Sequence, residues 1–500
     1  MLNFKSGYAF LHLRGKDLNN IDTSKPINET RELHGRQIIM SDAAEITADN
    51  VIEETRKALN EYMLNKSEIE YLYNYYKGKQ PILNRVKDIR PDICNRIIEN
   101  RANEIVSFKV GYLCGEPIQY VSRQGDENIV NQINKLNEYM FAEDKASKDQ
   151  ELVEWQMICG TAFRLILPDP PQDVDDSPFE IYTLDPRNTF IVYSSKIGHD
   201  PLMSVIIGKD EDGENEYSVY TDNMFFTIKN DFLIKAVPHS LKSNPITEYP
   251  ANNSRLGAFE IVLPLLDAIN KVASNRMDGV EQFIQAFWKF VGCNIDKDTF
   301  ESFKEQGAIL IPPNDNGGKI DVDLIVKELN QNQVQTLKDD LYNAILTICG
   351  MPNRNGGSST SDTGAAVLLR DGWSLAEARA KDSEHMFKKA EKQMLKLILR
   401  ICKDLSEFNL KLKDIDMKFT RRNYENIQSK SQVLLSMLKE PKIHPQLAFQ
   451  HSGMFSDSES AYAMSMKYYK EMVRENFKTQ NAEKQENSNS ITEDVKRQEK

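Results

Sequence analysis

GAFEIVLPLLDAINKVASNRMDGVEQFIQAFWKF, Gly257 to Phe290, is the stretch on which the fold turns. Its apolar residues Val262, Leu265, Leu266, Ile269, Val272, Ala273, Val280, Phe283, Ile284 and Phe287 recur at helical spacing and form one stripe. Asp267, Lys271, Asn275, Asp278, Glu281 and Gln282 fall mostly on the other side. Pro264 fits only near the first turn, where its missing N–H is not needed. At about 1.5 Å per residue such a helix is roughly 45 Å long. A second helical pattern from Asn330 to Gly350 supplies a matching stripe, Val334, Leu337, Leu341, Ile345 and Ile348, with Gln333 placed as the return partner of a capping box. Between the two, residues 291–329 break into short pieces around Pro312-Pro313 and Gly317-Gly318, which reads as a small αβ module inserted between helices.

Downstream, MPNRNGGSSTSD (Met351–Asp362) is the most flexible composition in the interior of the chain. The helical period returns at Thr363 and lasts to about Leu405, some 40 residues or about 60 Å, with Gly372 as a candidate bend. A strand-like Ile415–Phe419 follows, then short helices carrying Val433, Leu434, Leu435 and Met437, and later Tyr462–Met472. From about Glu475 the chain is polar, charge-mixed and expected to be disordered.

Upstream, residues 160–249 hold six short β-rich runs, Phe163–Leu167, Phe179–Leu184, Thr189–Tyr193, Met203–Ile207, Tyr217–Tyr220 and Phe225–Ile228. Pro, Gly, Asp and Asn separate them, as in the hairpins of an antiparallel sheet. Earlier still, a helix is expected after the N-cap candidate Thr47, ending at Gly78 and Pro81, and a second after Pro91 with Ile93, Ile97, Ile98, Ala102, Ile105 and Val106 on one side. A third carries Ile129, Ile133, Leu136 and Met140 and is continued by Leu152, Trp155 and Ile158. Residues 1–45 are polar and aperiodic. The fold class is therefore α+β, mainly helical.

The net charge of -12 over 500 residues speaks against a sequence-independent DNA binder, which gains its affinity by neutralising phosphates. No stretch is apolar for the roughly 20 residues a bilayer span needs, so no membrane association is expected. The start lacks the charged-then-apolar order of a signal peptide, and the six cysteines never form Cys-x-x-Cys, so buried free thiols and folding in a cytoplasm are expected. Catalytic patterns are missing as well. No histidines stand at H-x-x-x-H spacing, and Gly318-Lys319 is followed by Ile320 where a phosphate loop needs Ser or Thr. Gly356–Thr360 has no lysine and follows no strand, which favours a linker. No catalytic, cofactor or metal residues are assigned, and an enzyme is the weaker class.

Several stretches, in order, resemble the portal proteins of siphovirus-type tailed phages. They are Tyr75–Ile82 (YYKGKQPI), Arg96–Tyr120 (RIIENRANEIVSFKVGYLCGEPIQY), Gly160–Phe163 (GTAF), Asn252–Glu260 (NNSRLGAFE) and the long helix. The resemblance implies a closed ring of about twelve subunits. It implies an αβ wing over residues 46–256 after the polar segment 1–45. Stem helices would occupy 257–290 and 330–350, with a small αβ clip at 291–329 between them. A tunnel loop at 351–362, a wing-spanning helix with a returning strand at 363–420, a helical crown at 421–475 and a tail at 476–500 complete the set.

Within the loop, Asn353, Arg354, Asn355, Ser358, Thr360 and Ser361 would face DNA, with Arg354 the only residue able to pair with phosphate. Val262, Leu266, Ile269, Val280, Phe283, Phe287, Leu337, Leu341 and Ile345 would pack the stem within and between subunits. The implied partners are the terminase large subunit, a head-completion or adaptor protein, the major capsid and scaffolding proteins, and double-stranded DNA in transit. The implied place is the portal vertex of the virion, after assembly in the host cytoplasm. Another ring-forming phage head-tail connector or adaptor is the alternative reading.

Overall fold

The computed structural model describes residues 33–88, 90–123, 127–170, 173, 176–284, 287–291, 321–325, 331–353, 372–405, 408–421, 427–455, 458–459 and 461–475. Helices and mostly antiparallel sheets share the chain. The chain divides into two compact units. One holds Asn74–Asn103 and Glu260–Cys349; the other holds His34–Tyr73, Glu104–Phe259 and the residues from Gly350 onward.

In the larger unit, helix α1 (Val51–Tyr76) begins where the sequence places it. The Asn50 side chain accepts from the Thr47 N–H at 2.8 Å, and the amide of Val51 reaches the Thr47 carbonyl. Val51, Ala58 and Tyr62 of α1 cover Phe190, Val192, Met203, Val205, Val219 and Phe226 of a six-stranded sheet. Its strands, in spatial order, are β1 (Ile39–Ser41), β5 (Thr189–Ser194), β6 (Pro201–Lys209), β7 (Asn215–Tyr220), β8 (Met224–Lys229) and β9 (Phe232–Pro238). The pairings are antiparallel except β1 on β5.

A second sheet orders β10 (Ile246–Pro250), β3 (Thr161–Pro168) and β4 (Phe179–Leu184), so the β-rich region forms two sheets where one was expected. Phe163, Leu165, Ile191 and Ile246 fill a core that the two sheets share. On the smaller sheet sit α3 (Glu127–Ala142), α4 (Lys145–Cys159) and the long α7 (Trp373–Leu405). Asp144, in the left-handed region at φ 49°, separates α3 from α4. Leu136, Ile166, Phe179, Met394, Leu395, Ile398 and Cys402 share one core with β2 (Gln119–Ser122) and β13 (Ile415–Lys418), which pair antiparallel across some 300 residues of sequence. Gly372, at φ 82°, immediately precedes α7, and the expected helical residues 363–371 before it lie outside the described residues. The helices α8 (Ile427–Lys439) and α9 (Pro445–Ser452) follow, and residues 461–475 are helical.

The smaller unit contains α5 (Leu263–Ile284) and α6 (Gln331–Cys349), which pack on each other. The Phe283–Phe287 end of the opening stretch departs from expectation. The helix ends at Ile284, and Phe287 opens strand β11 (Phe287–Val291), paired antiparallel with β12 (Asp321–Ile325). A run such as Phe-Trp-Lys-Phe-Val satisfies helical spacing by chance because nearly every position in it is apolar, and its aromatic and branched residues prefer a strand.

The second expected helix also starts late, since α2 spans Arg101–Cys114 and residues 93–100 belong to no helix or strand. Among the described residues no helix is long and apolar enough to cross a membrane, and no group of three or more His, Cys, Asp or Glu could hold a metal. Among the described residues, Cys94, Cys114, Cys159, Cys349 and Cys402 form no disulfide.

Candidate functional site

Residues 93–100 lie along α5 because that helix carries its own polar ladder. Asn270, Ser274 and Asp278 stand four residues apart, and they accept hydrogen bonds from the amides of Glu99 (3.0 Å), Ile97 (2.9 Å) and Asn95 (2.7 Å). Four helical residues advance about 6 Å and two extended residues about 6.6 Å, so every second amide meets every fourth side chain. These amides are thereby lost to helix formation, which explains the late start of α2. Asp278, assigned by periodicity to the outer face of the helix, is only 4% exposed.

Asp278 also accepts from Arg85 at 2.8 Å and Lys87 at 3.1 Å. Burial pushes its carboxyl up, but Asn95, Lys87 and Arg85 outweigh this and hold it below the usual range. At the turn into α2, Asn100 takes φ 38° and is tied by Gln80 and the Tyr76 carbonyl. Lys338 of α6 pairs with Glu99, and the Arg101 guanidinium lies 4.4 Å from the Tyr342 ring centre. Asp278→Ala is expected to cost about 2 kcal/mol, the penalty for leaving buried donors unmatched. Hydrogen exchange should quicken at residues 93–99 first.

The helix pair itself is apolar on two sides. Val262, Leu266, Ile269 and Ile345 are buried, and Leu341 is half-buried. Arg276 donates to Gln335 at 2.7 Å across the pair. Leu337 is 51% exposed and Val280 40%, so part of the predicted stripe faces outward from a single chain, as does Met277 beside it at 41%. The side chains of Phe283 and Phe287 lie outside the description. Of the loop residues, Asn353 is half-buried, while Arg354, Asn355, Ser358, Thr360 and Ser361 lie outside the described residues.

In the larger unit, two segments singled out in the sequence meet. Gly160, at φ 80°, ends α4 and faces the chain at Arg255–Leu256, and Gly257 faces the Ile158 carbonyl. Backbone bonds run from Ala258 to Met157 (2.7 Å) and from Ala251 to Gly160 (2.9 Å). Beside them Arg255 pairs with the buried Glu248 at 2.6 Å.

Deeper in, Lys145, Asp149, Arg164 and Glu391 form a closed set of two cations and two anions, each at most 3% exposed. Lys145 lies 2.7 Å from Asp149 and 2.9 Å from Glu391; Arg164 lies 2.8 Å and 3.7 Å from the same two carboxylates. Tyr120 and Tyr249 donate their hydroxyls to Glu391. Sequence reasoning passed over this cluster, whose members come from α4, β3 and α7. Arg421 spans Glu377 and Glu384 of its own chain.

No curated protein matches the chain. Two solved structures that align with it at 10% identity come from gene transfer agent particles. One is described as the neck of an empty particle computed with C6 symmetry; the alignment covers 71% of this chain and 90% of that chain, with a TM-score of 0.37. The other is described as the virion of a native particle; its alignment covers 78% and 94%, with a TM-score of 0.39. The family model described as phage portal protein, SPP1 Gp6-like, matches residues 56–489, nearly the whole of both units described above. The chain belongs to the SPP1 Gp6-like family of phage portal proteins.

Proposed function

We propose that the protein is one subunit of a closed ring at the portal vertex of a capsid, through which double-stranded DNA is packaged and ejected. In this reading the ring docks the terminase large subunit during packaging and a head-completion or adaptor protein afterwards. Family membership across 56–489 is the observation that carries the proposal. The outward apolar residues of α5 and α6 support it. Met277, Val280 and Leu337 are unusual exposures on two long helices, and a neighbouring copy of the same pair would cover them. In this reading α5 and α6 are the stem, β11 and β12 belong to the clip, and residues 351–362 supply the loop that narrows the channel.

Mass photometry of the purified wild-type protein should find a large closed oligomer. Val280→Glu combined with Leu337→Glu should shift the population to monomers. Each substitution should change the stability of the subunit by no more than about 0.5 kcal/mol, since both sites are surface positions in the single chain. A wild-type protein that stays monomeric at micromolar concentration would sink the ring.

Deleting Asn355–Thr360 tests the loop. Rings should still form, but packaged or retained DNA should fall, and Arg354→Ala should give a smaller change in the same direction. Unaltered packaging and retention in the deletion would make the loop a mere connection between helices.

A further inference from the structure

Glu377, Glu384 and Glu391 stand seven residues apart on α7. Each such step drifts only about 20° around the helix and advances about 10.5 Å, so the three share one face. All three are engaged by cations. Glu391 is wholly buried among Lys145, Arg164 and two tyrosines. Glu377 and Glu384 are different: their side chains are 31% and 16% exposed, and one residue holds both. Arg421 lies 2.7 Å from Glu377 through one terminal nitrogen and 2.6 Å from Glu384 through the other. Tyr112 adds a hydroxyl donor to Glu377, and Lys388 pairs with Glu384 at 2.6 Å.

The position of Arg421 in the chain gives this arrangement its consequence. It lies between β13 and the helices from Ile427 onward, while Glu377 and Glu384 belong to the opening turns of α7. A single side chain therefore ties the entry to the C-terminal helices to the opening turns of α7. Past Glu391 the same face of α7 turns apolar, with Met394, Leu395, Ile398 and Ile401 buried. The C-terminal half of α7 is thus held by its core and by fully buried charge, whereas its opening turns rest on Trp373 packed against Phe108 and Tyr112, on the buried Ala376, and on the two ion pairs of Arg421.

We propose that Arg421 is a releasable latch coupling the helices beyond residue 427 to the first turns of α7. When those helices move, Arg421 withdraws from Glu377 and Glu384, and residues 373–384 loosen while the segment from Glu391 onward stays fixed. The latch is independent of any role for the protein. Its extension, that displacement of the crown is relayed to the channel loop, rests on the portal reading above.

Hydrogen exchange on full-length, assembled protein tests the latch. Arg421→Gln should speed exchange over residues 373–384 by about tenfold, the expected loss of a charged hydrogen-bond pair, and leave 391–402 within about twofold of wild type. Glu377→Gln with Glu384→Gln should reproduce that pattern and add nothing further to Arg421→Gln, because both changes remove the same interaction. Should Arg421→Gln fail to fold, Glu377→Gln alone reads the same segment from a more exposed position. Unchanged exchange over 373–384 would overturn the latch, and so would equal acceleration through 391–402, which would make Arg421 a general prop of the helix.

The extension has its own measurement. Rings of Arg421→Gln should retain a different amount of DNA from wild-type rings. Local loosening with wild-type retention would overturn the relay while leaving the portal reading intact; failure of the wild-type protein to form rings would count against that reading and not against the latch.

Discussion

Gly160→Ala is expected to cost on the order of 4 kcal/mol and to leave little soluble protein, because two penalties add at one atom. The backbone there has φ 80°, a region that L side chains rarely enter. A Cβ on Gly160 would also sit 2.0 Å from the Arg255 carbonyl oxygen and 2.5 Å from its carbon. Neither is the end of a flexible side chain. Relief requires moving the end of β10 at Ala251 and the segment at Ala258, both held by backbone hydrogen bonds to this turn.

Gly213 supplies the control. It has nearly the same φ, 83°, with nothing within 4 Å of its would-be Cβ, so Gly213→Ala isolates the conformational term at about 1–2 kcal/mol. Thermal unfolding of the two variants side by side gives the difference. Equal losses would mean that the close approach of the two chains is not as tight as the distances indicate. Gly257→Ala, which would meet the Ile158 carbonyl oxygen at 2.5 Å without unusual φ, should fall between them.

That junction also marks how much could be read from residues alone. Gly160–Phe163 and Asn252–Glu260 stood out in the sequence as separate blocks, and nothing in either says that they touch. The pairing is a property of the tertiary fold, as is the pairing of β2 with β13. Long periodic elements were legible: α1, α6 and α7 carry stripes long enough that chance apolar matches cannot mimic them. Short apolar runs were not, which is why Phe287 was read as helix, and why β9 and β10 passed unnoticed between turn residues.

The polar ladder of α5 was hidden for a different reason. Periodicity assigns polar residues to water, yet Asn270, Ser274 and Asp278 are buried against backbone amides, and only their exact four-residue spacing hints at it. Of the buried charges of α4, β3 and α7 only the Lys145–Asp149 pair is local, one helical turn apart, while Arg164 and Glu391 lie 15 to more than 200 residues from their partners, so the cluster as such leaves no local trace. The exposed stem residues were legible as apolar but not as exposed, since a stripe is silent about whether its own chain or another covers it.

Glu391→Gln should destabilise the larger unit by about 3–5 kcal/mol, as expected when one member of a buried ion set is removed and its partners stay charged. Lys145 and Arg164 would then share Asp149 alone, leaving a net positive charge with no access to water, since all three are at most 3% exposed. Tyr120 and Tyr249 would also lose a charged acceptor. A second substitution separates charge imbalance from lost packing. Glu391→Leu with Arg164→Met removes one anion and one cation, so it should cost less than Glu391→Gln despite deleting more hydrogen bonds.

The pH dependence follows from the same geometry. Burial pushes the Glu391 carboxyl up, but Lys145, Arg164 and the two tyrosine hydroxyls outweigh it and hold the group below its ordinary value of 4.5. A carboxyl depressed on folding adds stability that is complete above that ordinary value and is lost as the pH falls through the folded one. The stability of wild-type protein should therefore drop more steeply below about pH 4.5 than that of Glu391→Gln, which has no proton to take up at this position. Parallel acid-unfolding curves for the two proteins would show that the cluster is not the acid-sensitive element of the fold.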